Sequence, residues 1–294
     1  MTYSPREASK LFNSKTLSSI ADGDFSFIHQ VSNNFLDLEF DKSKIRCIFN
    51  LTFEKLLKEY RSEYIFKNIV AQRHLVGRHS LKTATMLTEF RVGNSKADCV
   101  ILNGKSTCYE IKTEYDSLAR LEDQLNDYSK VFDEVFVVCS PNHIASVLKN
   151  TCEHIGVLEL TSRNYLSVKR NAKYRKTTLN VPTLLKSMRK EEYIALTSRV
   201  IGQVPNVPNS QLVATCSEML STACNIEVGK SFVEVLKKKR LNNDRLINGL
   251  PTSLLNAAIS YKFSSRQEKQ LLNIFNVNKD EQCISPTSEV NSLI

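Results

Sequence analysis

The stretch from Glu89 to Lys112 reads EFRVGNSKADCVILNGKSTCYEIK and contains the strongest structural signals in the chain. Two short apolar runs, residues 97–102 and 107–111, flank an Asn103-Gly104 pair. Asn-Gly between two such runs is the strongest short-range signal for a β-hairpin. The stretch therefore predicts two antiparallel strands joined by a tight loop.

Charged side chains interrupt these apolar strands. Asp98, Glu110 and Lys112 occupy positions where strand interiors disfavour ions. Burying an ion is costly unless the ion is paired or bound to a metal. We therefore take these three residues as candidate functional groups.

The length of the hairpin loop decides whether the charges meet. A two-residue loop would place Asp98 and Glu110 on opposite faces. A three-residue loop, with Gly104 near the left-handed region, pairs Leu102 with Ser106 and sets Asp98 opposite Glu110, with their Cβ atoms ~5 Å apart. We favour the three-residue loop because only that register gathers the charges. Two carboxylates at such a spacing can share a hard cation such as Mg²⁺.

The order Asp98, then Glu110-Ile111-Lys112, resembles the Asp…Glu-x-Lys signature of the PD-(D/E)XK nuclease superfamily. Ala97 stands where the Pro of that name would be. Downstream, Gln124 and Tyr128 resemble the Gln-x-x-x-Tyr motif of the branch that includes RecB-type exonucleases. The resemblance covers residues 55–160 and extends to a little-characterised family of bacterial and mobile-element proteins.

The resemblance implies a metal-dependent nuclease that hydrolyses phosphodiester bonds, with DNA as the expected substrate. Asp98 and Glu110 would be metal ligands, with the Ile111 carbonyl as a further ligand and Glu89 as an auxiliary one. The implied cofactor is Mg²⁺ or Mn²⁺, which stabilises the charge that develops on the phosphate.

The remaining residues of the pattern would assist. Lys112 would position or activate the attacking water, or stabilise the transition state. Gln124 and Tyr128 would support the site from the following helix. The family points to phage defence or mobile-element biology. The alternative, from another class of protein, is a non-catalytic nucleic-acid-binding or partner-binding protein on a nuclease-like scaffold.

The order of elements predicts the fold class. The pattern indicates a helix over residues 51–74 with a break near Arg61–Ser62, three antiparallel strands within 86–113, and a helix from Asp116 to Val131. Apolar runs at 134–139 and 156–160 predict buried strands. This is an α/β, restriction-endonuclease-like mixed sheet flanked by helices, followed by a mostly helical basic C-terminal region.

Composition suggests four segments along the 294 residues. We expect an N-terminal mixed segment over 1–50, a nuclease-like core over 51–162, a basic helical region over 163–276 and a frayed tail over 277–294. Residues 1–160 carry 20 Lys and Arg against 21 Asp and Glu, so the net charge of +9 comes from the second part.

A basic second part suggests a polyanionic partner. Within it, residues 168–177 look like a nucleic-acid-binding segment because cations alternate with an aromatic side chain. The candidate contacts are Lys169, Arg170, Lys173, Tyr174, Arg175 and Lys176. A solvated linker is the competing interpretation, with equal weight.

The absence of membrane-spanning and signal-peptide patterns in the sequence bears on cellular location. No apolar run approaches the ~20 residues that span a bilayer, and the polar N-terminus has no signal-peptide shape. The eight cysteines include no Cys-x-x-Cys pair. We therefore expect a cytoplasmic protein with no membrane contact, and we leave open a homodimer or an activating protein partner.

Overall fold

The computed structural model describes residues 3–78, 81–175 and 178–276, and within them the chain forms two compact units. One unit combines the described residues up to Asn68 with those from Asn243 onward, and the other comprises Ile69–Asn242. The expected nuclease-like core and most of the basic helical region therefore share one unit. The expected tail, residues 277–294, lies outside the described residues.

Helices provide most of the described secondary structure. In chain order the α-helices are α1 (Pro5–Ala8), α2 (Ser14–Ala21), α3 (Ser26–Phe35), α4 (Ile45–Glu59), α5 (Glu63–Val70), α6 (Leu121–Ser129), α7 (Ile144–Asn150), α8 (Val181–Lys186), α9 (Lys190–Ile201), α10 (Asn209–Ser221), α11 (Asn225–Lys239), α12 (Asp244–Gly249), α13 (Leu255–Ser260) and α14 (Ser265–Asn276). None of these described helices is long and apolar enough to cross a lipid bilayer.

The predicted long helix over residues 51–74 is confirmed together with its break. Helix α4 ends at Glu59, and α5 begins at Glu63 after three non-helical residues. A π-helical turn, Ala71–Val76, continues from α5. The apolar side chains of α5, including Ile65 and Phe66, are buried at the spacing that defines one helix face.

The first unit is held together by aromatic packing and by side chains that bind backbone carbonyls. Phe49 contacts Phe12 and Phe275 edge to face, at 5.6 and 5.3 Å between ring centroids. The Tyr64 hydroxyl donates to the Ser253 carbonyl at 2.8 Å, and the Asn68 amide donates to the Thr252 carbonyl at 2.9 Å. These contacts join α4 to Phe12 and α14, and they join α5 to Thr252 and Ser253, which precede α13.

The second unit is built on a six-stranded mixed sheet in the order β1-β2-β3-β4-β5-β6. The strands are β1 (Thr85–Val92), β2 (Ser95–Leu102), β3 (Ser106–Lys112), β4 (Glu134–Cys139), β5 (Gly156–Leu160) and β6 (Leu166–Arg170). β1, β2 and β3 pair antiparallel, β3, β4 and β5 pair parallel, and β6 returns antiparallel to β5. The structure thus confirms the predicted fold class.

One face of this sheet carries the main hydrophobic core. Val100, Cys108 and Val137 project from neighbouring strands and are fully buried. They belong to the same cluster as Leu125 of α6 and Phe232 of α11. Helices α8 to α11 of the basic helical region therefore pack as part of the sheet unit, because their apolar side chains complete the core.

Two sequence expectations in this unit were wrong. Helix α6 begins at Leu121 and not at Asp116, because the Asp116 carboxylate accepts bonds from the Thr113 amide at 2.8 Å and the Thr113 hydroxyl at 2.7 Å. Those bonds form a turn instead of a helix cap. The second error concerns Leu166–Arg170, which forms edge strand β6, whereas we expected a basic helical region to begin at residue 163.

Candidate active site

The hairpin register sets the geometry of the site. Leu102 pairs with Ser106 and Cys99 with Tyr109, so the loop has three residues. Gly104 lies in the left-handed region with φ +68°, as such a loop requires. The register prediction is confirmed, and its continuation places Asp98 opposite Glu110.

Glu110 is the centre of the candidate site. It lies within β3 and is only 2% exposed. The Lys112 ammonium donates to Glu110 Oε1 at 3.0 Å, and the Tyr128 hydroxyl donates to Glu110 Oε2 at 2.8 Å. Both carboxylate oxygens are therefore held by side chains that the sequence pattern had selected.

Gln124 extends the same network. Its Oε1 accepts a bond from the Lys112 ammonium at 2.9 Å. Gln124 and Tyr128 are four residues apart on α6, so both side chains reach the same strand. The structure thus brings together four of the predicted site residues in one hydrogen-bonded chain.

Asp98 joins this network through the backbone of β3. Its Oδ2 accepts a bond from the Ile111 amide at 2.8 Å. This contact fixes one carboxylate oxygen beside the Glu110-Ile111-Lys112 stretch. Ile111 pairs with Val138 in the parallel ladder. Its contact with Asp98 is made by the backbone N–H, whereas the sequence resemblance implied a metal-binding role for the backbone carbonyl.

Glu89 occupies a distorted position in β1. Its neighbours Thr88 and Phe90 pair with Cys99 and Ala97, while Glu89 has φ +55°. A left-handed conformation in a non-glycine residue costs ~1–3 kcal/mol and occurs preferentially at functional sites. Glu89 itself lies opposite Asp98 of strand β2.

The Glu89 and Asp98 carboxylates form a close acidic pair. An oxygen of Glu89 lies within 4.8 Å of an oxygen of Asp98. Glu89 also pairs with the ammonium of Lys96. Hard oxygen donors at this separation suit a cation of the Mg²⁺ type, which binds carboxylate oxygens at ~2.0–2.1 Å and retains water ligands. The donor chemistry therefore fits the implied metal.

The environment shifts the acid–base behaviour of the buried groups. Burial raises the pKa of Glu110, and the neighbouring Lys112, Tyr128 and Gln124 only partly oppose this effect. Burial, together with the negative charge of Glu110, also raises the pKa of Tyr128 well above its ordinary value. Tyr128 is therefore a hydrogen-bond donor to Glu110 across the physiological pH range.

Sequence reasoning missed the residues that position α6. The Asp127 carboxylate accepts bonds from the Asn94 amide at 3.1 Å and the Ser95 hydroxyl at 2.8 Å. Gly93 allows this approach, because a Cβ there would lie 2.8 Å from the Asp127 carboxylate. The local sequence Gly93-Asn94-Ser95 gives no indication that Asp127 of α6 is its partner.

The predicted nucleic-acid-binding segment makes mostly internal contacts. The ammonium of Lys169 lies 2.6 Å from Glu159, and that of Lys173 lies 3.2 Å from Glu153. The Arg170 guanidinium donates to the Ile155 carbonyl at 2.7 Å.

Arg175, near the end of the segment, also contacts a residue of the same unit. The buried Arg175 guanidinium lies 3.4 Å from Asp133, whereas Tyr174 is 54% exposed. Lys176 lies outside the described residues. The described cations of this segment are thus committed to carboxylates and carbonyls of the same unit, and they are not assembled with Glu110.

Comparisons with known proteins place the chain in a phage family. Over residues 57–269, more than half of its length, it matches the family model described as bacteriophage P4 protein cII. A curated relative, protein cII of Enterobacteria phage P4, is 38% identical over 86 residues, which is 29% of this chain and 33% of the relative. The match therefore spans about a third of the relative's length.

A solved structure was also matched. A protein of unknown function from Silicibacter pomeroyi aligns with 37% of this chain and 70% of its own, at 20% identity and a TM-score of 0.29. That similarity is too low to support an argument about fold or activity. The family match over residues 57–269 includes the whole sheet and the Glu110 network. The chain belongs to the family of bacteriophage P4 protein cII.

Proposed function

We propose that this chain is a metal-dependent nuclease that hydrolyses phosphodiester bonds, with DNA as its substrate. The observation that carries the proposal is the Lys112–Glu110–Tyr128 chain beside Asp98, with Gln124 bound to Lys112. An acid–acid–lysine set brought together on one strand pair matches the Asp…Glu-x-Lys signature that the sequence resembles. A carboxyl with a raised pKa, such as that of Glu110, is more frequent at functional sites than elsewhere.

The roles of the residues follow from their contacts. Asp98, Glu110 and Glu89 would hold Mg²⁺ or Mn²⁺, which when bound supplies positive charge to the developing phosphorane and to the attacking water. Lys112 keeps its ammonium beside Glu110 and can hold a water or a phosphate oxygen at that point. Gln124 fixes the direction of the Lys112 side chain. Tyr128 keeps Glu110 oriented.

The relatives support a setting for this activity. The family and the curated relative carry the name of a phage protein, so a role in phage or mobile-element biology, in the cytoplasm where DNA is accessible, is part of the proposal. A homodimer or an activating protein partner would be compatible with it. The relative's name specifies no reaction.

The same contacts also favour one alternative. Because both oxygens of Glu110 are already engaged, the network can serve as a buried ionic support in a nucleic-acid-binding or partner-binding protein without turnover. Buried ion pairs of this kind are poor stabilisers compared with apolar packing. Metal binding separates the two functions, because a scaffold needs no divalent cation.

The test measures cleavage of linear, circular and single-stranded DNA with Mg²⁺ or Mn²⁺. We expect cleavage that EDTA abolishes and that Glu110→Gln and Lys112→Met reduce by about 100-fold or more. Glu122→Gln and Lys149→Met, which change exposed residues of α6 and α7, are matched controls that should retain activity.

Comparison of circular with linear DNA shows whether the cleavage requires a strand end. Survival of circular DNA while linear DNA is consumed would make the protein an exonuclease. Absence of cleavage, together with no Mn²⁺ binding by calorimetry, would reject the nuclease and favour the scaffold.

A further inference from the structure

The face of the sheet opposite Glu110 holds a separate pocket. Side chains alternate along a strand, so Thr107 and Tyr109 of β3 project away from the face that carries Glu110. They line a cavity of about 310 Å³ together with residues of β2, β4, β5 and β6. This volume lies at the lower end of the range of small-molecule sites.

The floor of the pocket is aromatic. The rings of Tyr109 and Phe136 stack at 5.5 Å with an interplanar angle of 15°. Phe136 is paired with Gly156 in β5, where a Cβ would come within 2.2 Å of the Phe136 ring. Glycine at this position therefore makes room for the ring. The His74 Nδ1 lies 3.3 Å from the Tyr109 hydroxyl and holds the second ring in place.

Apolar and amide groups complete the lining. Ile101, Leu158 and Val168 also line the pocket, and Val168 is 49% exposed. Asn103 and Asn171 contribute amide side chains to the lining. Amide side chains present both donors and acceptors, which is the hydrogen-bonding pattern that the edge of a nucleobase requires.

Two cations line the same pocket. Arg78 makes no hydrogen bond or ion pair among the residues that the structure describes, and its charge acts on the Tyr109 phenol. Lys105 pairs with Glu134 at 2.6 Å but remains half exposed. An unpaired guanidinium beside an aromatic floor is suited to a phosphate, which it can bind through two parallel hydrogen bonds.

We propose that this pocket binds a nucleoside phosphate, with the ring against the Tyr109–Phe136 floor and the phosphate on Arg78. A purely apolar ligand would make no use of the Arg78 guanidinium, and a bare anion would make no use of the aromatic floor. Either a free mononucleotide or the 5′-terminal nucleotide of a strand has this chemistry. The site is independent of the proposed hydrolysis, because none of its lining residues belongs to the Glu110 network.

Titration calorimetry of the full chain in EDTA tests the site without cleavage. The probes are adenosine 5′-monophosphate, adenosine, inorganic phosphate and a 5′-phosphorylated tetranucleotide. We expect a probe that has both base and phosphate to bind about tenfold or more tightly than adenosine or phosphate alone. Tighter binding of the tetranucleotide would identify a strand end as the ligand, and tighter binding of the monophosphate would identify a free nucleotide.

Variants then locate the site. Arg78→Ala should weaken binding about tenfold, whereas Arg73→Ala, an exposed arginine outside the pocket lining, should leave it unchanged. Phe136→Leu, checked for folding by circular dichroism, should weaken the base-containing probes and leave the response to inorganic phosphate unchanged. The proposal is overturned if no probe binds below about 1 mM, if phosphate alone binds as tightly as the monophosphate, or if Arg78→Ala has no effect.

Discussion

The Tyr128 hydroxyl donates a 2.8 Å hydrogen bond to Glu110 Oε2, and this bond links helix α6 to strand β3 inside the candidate site. Tyr128 is fully buried and Glu110 nearly so. The bond therefore connects two groups that have little access to water. It fixes the carboxylate whose other oxygen is held by Lys112.

Replacement of Tyr128 by Phe should disturb Glu110 without opening a cavity. The change removes the donor and leaves a buried carboxylate oxygen without it, which costs ~1–3 kcal/mol in the free energy of unfolding. The lost bond should also raise the pKa of Glu110 further, so the acid limb of the pH–rate profile should move to higher pH. Urea unfolding and the pH profile measure the two effects. Tyr165→Phe, at an exposed tyrosine, is the control.

The pH dependence of stability should report on Glu110 directly. Burial raises its pKa in the folded protein, so the favourable contribution of the neutral acid is fully present below its unfolded pKa and is lost as pH rises through the folded one. In EDTA, the melting temperature of wild type should fall over that interval relative to Glu110→Gln. A Glu122→Gln protein should follow wild type. Parallel curves for wild type and Glu110→Gln would show that the carboxyl does not titrate in this way.

Gly93 and Gly104 offer a matched pair of backbone tests. Both have positive φ, at +58° and +68°, but only at Gly93 would a Cβ collide with a neighbour, the Asp127 carboxylate. Gly104→Ala should cost ~1 kcal/mol through backbone strain alone, and Gly93→Ala should cost more because the link between α6 and β2 is also displaced. Denaturant midpoints measure both. Equal losses would mean that the Asp127 contact contributes nothing.

Breaking the buried Arg240–Glu192 ion pair should destabilise the helical region. Arg240 donates to both oxygens of Glu192 at 2.7 Å, and Glu192 is 2% exposed. Arg240→Ala should destabilise the protein by ~3–5 kcal/mol because it leaves a buried carboxylate without its cation. The double variant Arg240→Ala with Glu192→Gln should recover part of that loss, as thermal unfolding can show. A loss no larger in the single than in the double variant would contradict the pairing.

The hairpin and the charge cluster were predictable from local sequence. The Asn103-Gly104 pair fixed the loop, and the requirement that Asp98 and Glu110 share a face fixed its length. Gln124 and Tyr128 were identified by the resemblance to the Gln-x-x-x-Tyr motif, and their four-residue spacing is consistent with one side of a helix. These features depend on neighbours in sequence or on a single strand pairing.

The errors concern contacts between distant segments or competing local bonds. Asp116 was predicted to begin a helix, but its carboxylate accepts hydrogen bonds from Thr113 instead. The cations Lys169 and Lys173 looked available to a polyanion, yet their carboxylate partners Glu159 and Glu153 lie on the preceding strand and loop. No spacing rule identifies such partners before the sheet is assembled.

The pocket around Tyr109 was invisible to the sequence for a related reason. Tyr109 reads as an ordinary strand residue beside Glu110. Its stacking on Phe136 depends on the parallel pairing of β3 with β4, and the space for that ring depends on Gly156 in β5. The cavity therefore depends on the relative positions of three strands, β3, β4 and β5.

The rate of Mg²⁺-dependent DNA cleavage by Lys112→Met, measured beside wild type and Lys149→Met, tests the central claim most directly. Lys112 joins Glu110 to Gln124, so its loss should lower the rate by about 100-fold or more while binding of DNA and the folded state persist. Lys149→Met should cleave as wild type does. Cleavage by Lys112→Met at the wild-type rate would contradict the proposed active site.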